Sequence, residues 1–372
     1  MRPALLFGAA RERGHAFAER WRGARPPFVC ILAHTDTCLI PGVSSAGISE
    51  ELRPLTPAAD AEVVQLGRPV CLPELPSNPL GAPGPAGITR AALCLGGLRA
   101  TFLGAGLQVW PATACVQVCA TPGGDVRLGR AVPNAAELFE LGLALGREQA
   151  SSAAYLVIGE SVPGGTTTAL ALLLALGYAA LGRVSGSMPG NAHALKARLT
   201  STALAVAGLR PGDGRAAPLA AVAAIGDPMQ PLVAGMALGA AAGGGEVLLA
   251  GGSQMLAVAA LIRALHGPAA LERVAVGTTR WIVEDPAADI PGLAADISAD
   301  LPVLAANLDF SASRHAGLRA YERFLVKEGV GAGGACIAAL LATAAPIDRL
   351  EALIDATYDG LAAVRNRLAA EG

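Results

Sequence analysis

Short apolar runs bounded by turn residues recur along this chain and alternate with longer helix-like stretches. The runs at 28–33, 154–158, 219–225, 246–249 and 274–276 are mostly unalternating, as strands are when both faces of their sheet are covered. Around them, 167–181, 192–206, 231–241, 254–265 and 335–344 read as helices. Strand then helix, repeated, predicts a mostly parallel sheet with helices on both faces. The expected fold is therefore α/β, doubly wound and Rossmann-like. We expect one α/β unit over residues 1–372, with a smaller helical lobe from the chain ends.

Hydrophobic residues make up 53% of the chain and charged residues 16%, ample for a large core. Alanine and glycine carry this hydrophobicity, since aromatics are only 4%. That balance suits close helix–sheet packing and glycine-lined ligand loops. A formal charge of −2 without a basic patch argues against nucleic acid as a partner. The longest apolar run, 167–181, is shorter than the roughly 20 residues of a membrane span. The apolar stretch 216–265 is interrupted by Asp227, Pro228, Pro231, Glu246 and repeated glycines, so no membrane partner is expected. Arg11, Glu12, Arg13 and His15 break the N-terminus before a signal-peptide pattern can form. Seven cysteines without a CxxC pair read as free thiols in a reducing compartment. A cytoplasmic location follows.

Residues 66–90, which include PELPSNPLGAPGPAG, predict a long loop that borders or covers a site. The tail 348–368 predicts an amphipathic helix packed on the core or on a partner subunit. The 28 basic residues include only two lysines, Lys196 and Lys327. Lysine is a compact point charge that arginine does not always replace; coding bias with drift, or retention at a site, would each leave two.

The decapeptide GESVPGGTTT at 159–168 follows an apolar strand and precedes an apolar helix. Strand, glycine turn and helix N-terminus form an anion-binding arrangement, because the first helical amides lack internal partners and the dipole favours negative charge. Gly164 and Gly165 allow close backbone approach, and Thr166, Thr167 and Thr168 can cap the helix or donate to phosphate. The turn has no lysine, so it is not a Walker A loop. A capped helix start that needs glycine only for the turn is the alternative. Glu160 stands at the strand end, where such folds place ligands; a solvated strand-end carboxylate is equally consistent. KEGVGAGG at 327–334 matches G-x-G-x-x-G letter for letter, but too little chain follows Gly334 for a dinucleotide-binding βαβ unit. A glycine turn closing over part of a mononucleotide fits better. Glu328 is a candidate general base, or a surface charge beside Lys327. His34, Asp36 and Cys38 in HTDTC would share one face on a strand and could ligate zinc; without a second ligand set, polar packing near the sheet end is favoured and no metal is expected.

Together, GESVPGGTTTA, HALKARLT, EVLLAGGSQMLAVAALI and EGVGAGGA resemble the nicotinate-nucleotide–dimethylbenzimidazole phosphoribosyltransferases of cobalamin biosynthesis. HTDTCLIPG, ITRAAL, NLDFSASRHAGLRAYE and LVKEGVGAGG are similar to an archaeal and cyanobacterial branch of that family over nearly the whole chain. The resemblance implies transfer of 5-phosphoribose from nicotinate mononucleotide to a lower-ligand base such as dimethylbenzimidazole, adenine or another benzimidazole or purine. It implies Glu328 as the base, Glu160 as a second catalytic glutamate, and Gly164, Gly165, Thr166, Lys196, Gly251, Gly329 and Gly331 as phosphate- and ribose-binding positions. It also implies a homodimer, with no cofactor and no metal. Two positions depart from the family pattern: Gly165 replaces an asparagine of the phosphate turn, and Ala250 an aspartate before Gly251. A non-catalytic nucleotide-binding protein of the same fold, and a nicotinamide-dinucleotide oxidoreductase resting on G-x-G-x-x-G alone, are the competing readings.

Overall fold

The computed structural model describes the chain apart from residues 1, 48, 73–76, 79, 151–154 and 372, and apart from the side chains at 189 and 364–371. Eight strands form one sheet: β1 (Leu5–Ala9), β2 (Phe28–Ala33), β3 (Ala100–Ala105), β4 (Val116–Cys119), β5 (Tyr155–Ser161), β6 (Glu246–Ala250), β7 (Val274–Thr279) and β8 (Val303–Ala306). Their order is β1-β8-β7-β6-β5-β2-β3-β4. Every pairing is parallel except β1 with β8. The doubly wound α/β class read from the runs is thus the fold observed.

The unalternating composition of the central strands has a direct cause. In β2, Val29, Ile31 and Ala33 enter one core, while Phe28, Cys30 and Leu32 enter the other. Helices Gly165–Ala175, Met229–Ala242 and Ser253–His266 cover the first face. Helices Thr56–Leu66, Ala86–Gly96 and Ala332–Thr343 cover the second. With both faces dry, neither side chain parity can be polar.

One expected strand is a helix. Residues 219–225 lie in the helix Pro218–Ile225, which buries Ala221, Val222 and Ile225. Pro218 presets the first helical turn without losing a needed amide donor, and an unalternating apolar run does not by period distinguish strand from buried helix. The run expected at 154–158 is β5, with residue 154 outside the described residues. The helix expected at 167–181 begins at Gly165 and stops at Ala175, where Gly177 takes φ +81° and ends it.

The Pro/Gly-rich loop is narrower than 66–90. Helix Thr56–Leu66 precedes it and helix Ala86–Gly96 follows. Glu62, fully buried, anchors the start by accepting from the amides of Val70 (2.5 Å), Cys71 (2.9 Å) and, across the fold, Ala112 (2.8 Å). The C-terminal helix runs Ile347–Glu371. Leu350, Ile354, Tyr358 and Leu361, three or four residues apart, are buried in the second core, so this helix packs on its own chain. Tyr358 lies over Gly87, where a Cβ would stand 2.6 Å from the ring. No helix among the described residues is long and apolar enough to cross a membrane.

Candidate active site

Strand order reverses between β2 and β5, which are neighbours in the sheet but lie far apart in the chain. At such a switch point the connections leave in opposite directions and open a crevice at the carboxyl ends of the strands. Here that crevice is a cleft enclosing about 1030 Å³ of non-protein space, its open mouth included. Glu160 and Ser161 close β5 and line it, as do Gly164, Thr166, Lys196, Gly252, Gln254, Glu328 and Gly329.

The glycine turn forms one wall. Gly164 takes φ +81° as N-cap of Gly165–Ala175, and a Cβ there would stand 3.0 Å from the Cys38 backbone. Glycine is therefore required both by backbone conformation and by the segment beneath. In the helix that follows, every residue except Thr166 is buried, which leaves Thr166 facing the cleft at the positive end of the dipole. Gly165 does not line the cleft; a Cβ there would overlap the side chain of Gln254. Gln254 fills that space and donates from Nε2 to Glu160 Oε2 (2.9 Å).

Lys196 reaches the same end from helix His193–Val206. It is 2% exposed, and its Nζ donates to the Asn191 carbonyl (2.7 Å). A Cβ at Gly186 would stand 2.8 Å from that Nζ and 3.7 Å from Thr166 Oγ1, so the ammonium, the threonine and the 186 backbone surround one small space. Burial, then the nearby Lys327, push the Lys196 pKa down to about 8, against the pull of Asp285. An arriving dianion would favour its charged form.

The two glutamates come from distant parts of the chain and meet in the cleft. Glu160 is 3% exposed. Its Oε2 accepts from the Val162 amide (3.1 Å) as well as from Gln254. Burial, with the charges of Glu328 and Asp227, raises its pKa to about 8. Glu328 is half-buried and accepts from the amides of Gly329 (3.2 Å) and Gly333 (3.1 Å) and from Thr278 Oγ1 (3.3 Å). Burial raises it to about 7, and those donors hold it below Glu160. Two carboxyls titrating near neutrality in a cleft are what proton-transfer chemistry requires.

The glycines of EGVGAGG divide their duties. Only Gly329, at φ +146°, lines the cleft. Gly331 packs on the sheet, where a Cβ would stand 2.9 Å from the Gly159 Cα. Gly333 and Gly334 let helix Ala332–Thr343 press on Thr278 and Ala250. The side chain of Ala250 abuts the Gly334 backbone, which leaves no room for the aspartate of the family pattern. Gly251 donates its amide to Gly277 (2.9 Å) and a Cβ there would stand 3.6 Å from Glu160 Oε1, while its neighbour Gly252 lines the space. Between Gly329 and Gly331, Val330 takes φ +54°, a conformation unfavourable for a β-branched residue. Its amide donates to the Glu160 carbonyl (2.8 Å) and its carbonyl accepts from Thr89 (3.0 Å). This clamp ties the two glutamate-bearing segments together.

HTDTC is not a strand beyond Ala33. Thr35 accepts from the Thr37 amide (3.3 Å) and starts a 3-10 turn, Asp36–Leu39. His34 bonds to Asp36 (3.0 Å) and Gln108 (2.9 Å), while Cys38 lies under Gly164. The three side chains therefore do not share one face, and no group of three potential metal ligands occurs among the described residues. Lys327 does not line the cleft. It is 1% exposed and pairs with Asp285 (2.6 Å).

Sequence reasoning missed Asp60, Gln254 and Asn191. Asp60 and Gln254 were legible only as polar letters in otherwise apolar helices, TPAADAEVV and SQMLAVAALI. Asn191 carried no signal beyond its place after Gly190.

No protein-family profile matches the chain. A UPF0284 protein of Gloeobacter violaceus is 49% identical over 365 residues, covering 96% of this chain and 94% of its own. A UPF0284 protein of Methanothermobacter thermautotrophicus is 45% identical, covering 84% and 87%. The relatives are thus cyanobacterial and archaeal, as the sequence resemblance implied. Among solved structures, the nicotinate-nucleotide–dimethylbenzimidazole phosphoribosyltransferase of Thermus thermophilus superposes with a TM-score of 0.55 at 20% identity, covering 91% and 92% of the two chains. A CobT structure from the same organism gives 0.56 at 20% identity over 89% and 91%. At that identity the likeness is one of fold. With relatives of this similarity over nearly its whole length, the chain belongs to the UPF0284 family.

Proposed function

We propose that this protein is a phosphoribosyltransferase that moves 5-phosphoribose from nicotinate mononucleotide to a lower-ligand base in cobamide nucleotide-loop synthesis. The single observation that carries the reading is the pairing of two near-neutral carboxyls, Glu160 and Glu328, with a helix-start anion site and a buried lysine in one cleft. The shared fold with enzymes whose name states that reaction supports it.

In this reading the 5′-phosphate lies at Gly164, Thr166, Gly186 and Lys196. The bond between C1′ and the pyridinium nitrogen breaks, and its electron pair stays on nicotinate. That nitrogen is already cationic, so no acid is needed for departure. A ring nitrogen of the acceptor bonds to C1′ and gives the α-N-ribosyl phosphate, while the proton on its other ring nitrogen passes to Glu328. Glu328 suits this role because it is the more acidic of the two and is ionised above about pH 7. Glu160, neutral up to about pH 8, adds no second charge beside the phosphate.

The test is to mix protein, nicotinate mononucleotide and a panel of benzimidazoles and purines and to follow nicotinate and ribosylated product. Release of nicotinate that depends on the base supports transfer. Tight nucleotide binding with no product from any base would instead identify a binding protein of the same fold.

A further inference from the structure

Asp60 is a buried carboxyl for which the transfer steps above have no use. It sits in helix Thr56–Leu66, is 4% exposed and lines the cleft. Ser161 Oγ donates to its Oδ2 (2.7 Å), and Oδ1 has no hydrogen-bond partner. Two hydroxyls in the same core are committed elsewhere: Tyr321 donates to the Pro83 carbonyl (2.9 Å) and Tyr358 to that of Gly84 (2.7 Å). No ion pair involving Asp60 occurs among the described residues. A buried carboxylate oxygen without a donor is costly, and burial pushes this carboxyl up to about 7.

Its position sets it apart from the phosphate end. Helix Gly165–Ala175 belongs to the core on one face of the sheet, whereas Ala61, Val63 and Val64, the neighbours of Asp60 in its helix, belong to the other. Ser161 is one residue beyond Glu160 on β5, so their side chains leave the strand on opposite faces. The cleft thus straddles the sheet ends, with the anion site on one side and Asp60 on the other. Gly84, Pro85 and Val326 also line this cleft, giving it apolar surface against which a heteroaromatic ring can pack.

Resting on the transferase reading, we propose that Asp60 is a specificity-determining residue at the acceptor end: its free Oδ1 accepts from an N–H group on the far edge of the incoming base. The protein therefore selects an acceptor heterocycle carrying an exocyclic amino group, as in an aminopurine, over one whose far edge is bare or methylated. A site built around a hydrogen bond rejects analogues lacking the donor, because its own polar group is then left unpaired.

Three probes separate the outcomes: adenine, purine lacking the amino group, and 5,6-dimethylbenzimidazole, each with nicotinate mononucleotide. The wild-type protein is expected to use adenine with kcat/KM about 10- to 100-fold above purine. Asp60→Ala should erase that preference by lowering kcat/KM for adenine, chiefly through KM, while leaving purine within about threefold. Asp60→Asn, which keeps the shape, controls for folding, and melting temperatures are compared for all three proteins. Equal use of adenine and purine by the wild type, or an equal loss on every base in Asp60→Ala, would overturn the proposal while leaving the transferase reading intact. If no base releases nicotinate, transfer fails. Calorimetric titration with adenine and purine then decides on Asp60: preferential adenine binding lost in Asp60→Ala supports it, and binding indifferent to the amino group or to the substitution refutes it.

Discussion

Lys196 and Lys327 hold opposite ends of the same residue. The first ammonium donates to the Asn191 carbonyl (2.7 Å) and the second to its Oδ1 (2.7 Å). Asn191 lies between Gly190 and Ala192 in three consecutive left-handed residues, with φ of +66°, +55° and +50°. For non-glycine residues that conformation costs about 1–3 kcal/mol each and persists only where surroundings impose it. Asn191 Nδ2 also donates to Asp285 (2.9 Å) and its Oδ1 accepts from the Gly186 amide (2.9 Å). The lysines thus shape the turn that carries Gly186 into the cleft.

The two lysines should separate by experiment. Lys327→Met leaves Asp285 buried without its cation and is expected to cost about 3–5 kcal/mol of stability, read as a lower urea midpoint. Lys196→Ala strands no buried charge of opposite sign. It should unfold within about 1.5 kcal/mol of the parent yet bind nicotinate mononucleotide at least tenfold more weakly by calorimetry. Equal stability losses, with nucleotide affinity unchanged in Lys196→Ala, would contradict the division of roles.

Glu328→Gln removes the acceptor for the ring proton but keeps a similar shape. Turnover should fall by about 100-fold or more while nucleotide affinity stays within a few fold. In the parent, kcat/KM should rise with pH to a plateau, with a midpoint near 7, as Glu328 ionises. A variant that retains full activity, or a parent profile flat from pH 6 to 8, would remove Glu328 from the role of base.

Stability should decline across the same range. Burial holds Glu160 at about 8 and Asp60 at about 7, whereas in an unfolded chain they titrate near about 4. The folded protein keeps protons that the unfolded chain has released, so their contribution is complete below about pH 4 and is lost as pH rises through 7 to 8. Urea midpoints should fall from pH 5 to pH 8.5. Asp60→Asn and Glu160→Gln should each flatten that slope, and an unaltered slope in both would refute the linkage.

Glycines with similar neighbours on paper should respond differently. Gly165→Ala meets the mobile end of Gln254, which can swing away, so stability should change by less than about 1 kcal/mol. Displacing Gln254 frees Glu160, however, and the pH profile of activity should shift. Gly334→Ala meets the backbone of β6, with the Ala250 Cα 2.9 Å away, and is expected to cost about 1–3 kcal/mol or more. Thermal melts of the two variants compare them directly, and a larger loss in Gly165→Ala would invert the account.

Much of the architecture was legible because period and punctuation are local. The run FVCILA had to be a strand covered on both faces, and GESVPGGTTT had to be a turn into a helix start, whatever surrounded them. Glu160, Thr166, Lys196 and Glu328 were picked out as polar letters at strand ends, helix starts and a rare lysine position. The run 219–225 was misread because burial on all sides removes the alternation that separates strand from helix.

Three-dimensional packing decided what each glycine does and which polar residues share the cleft. Gly331 looks like a ligand glycine in the chain but packs against Gly159 and Phe28, a close approach that comes from elements far away in sequence. Gln254 took its place only through Gly165, 89 positions earlier, and Asp60 through Ser161 (2.7 Å), 101 positions later. The amino-acid order by itself determined the alternation of strand and helix and the anion turn, since both follow from neighbouring side chains and backbone geometry. The far end of the cleft, where Asp60 meets Ser161, exists only because β2 and β5 pair across the switch point and bring their opposite faces into one space.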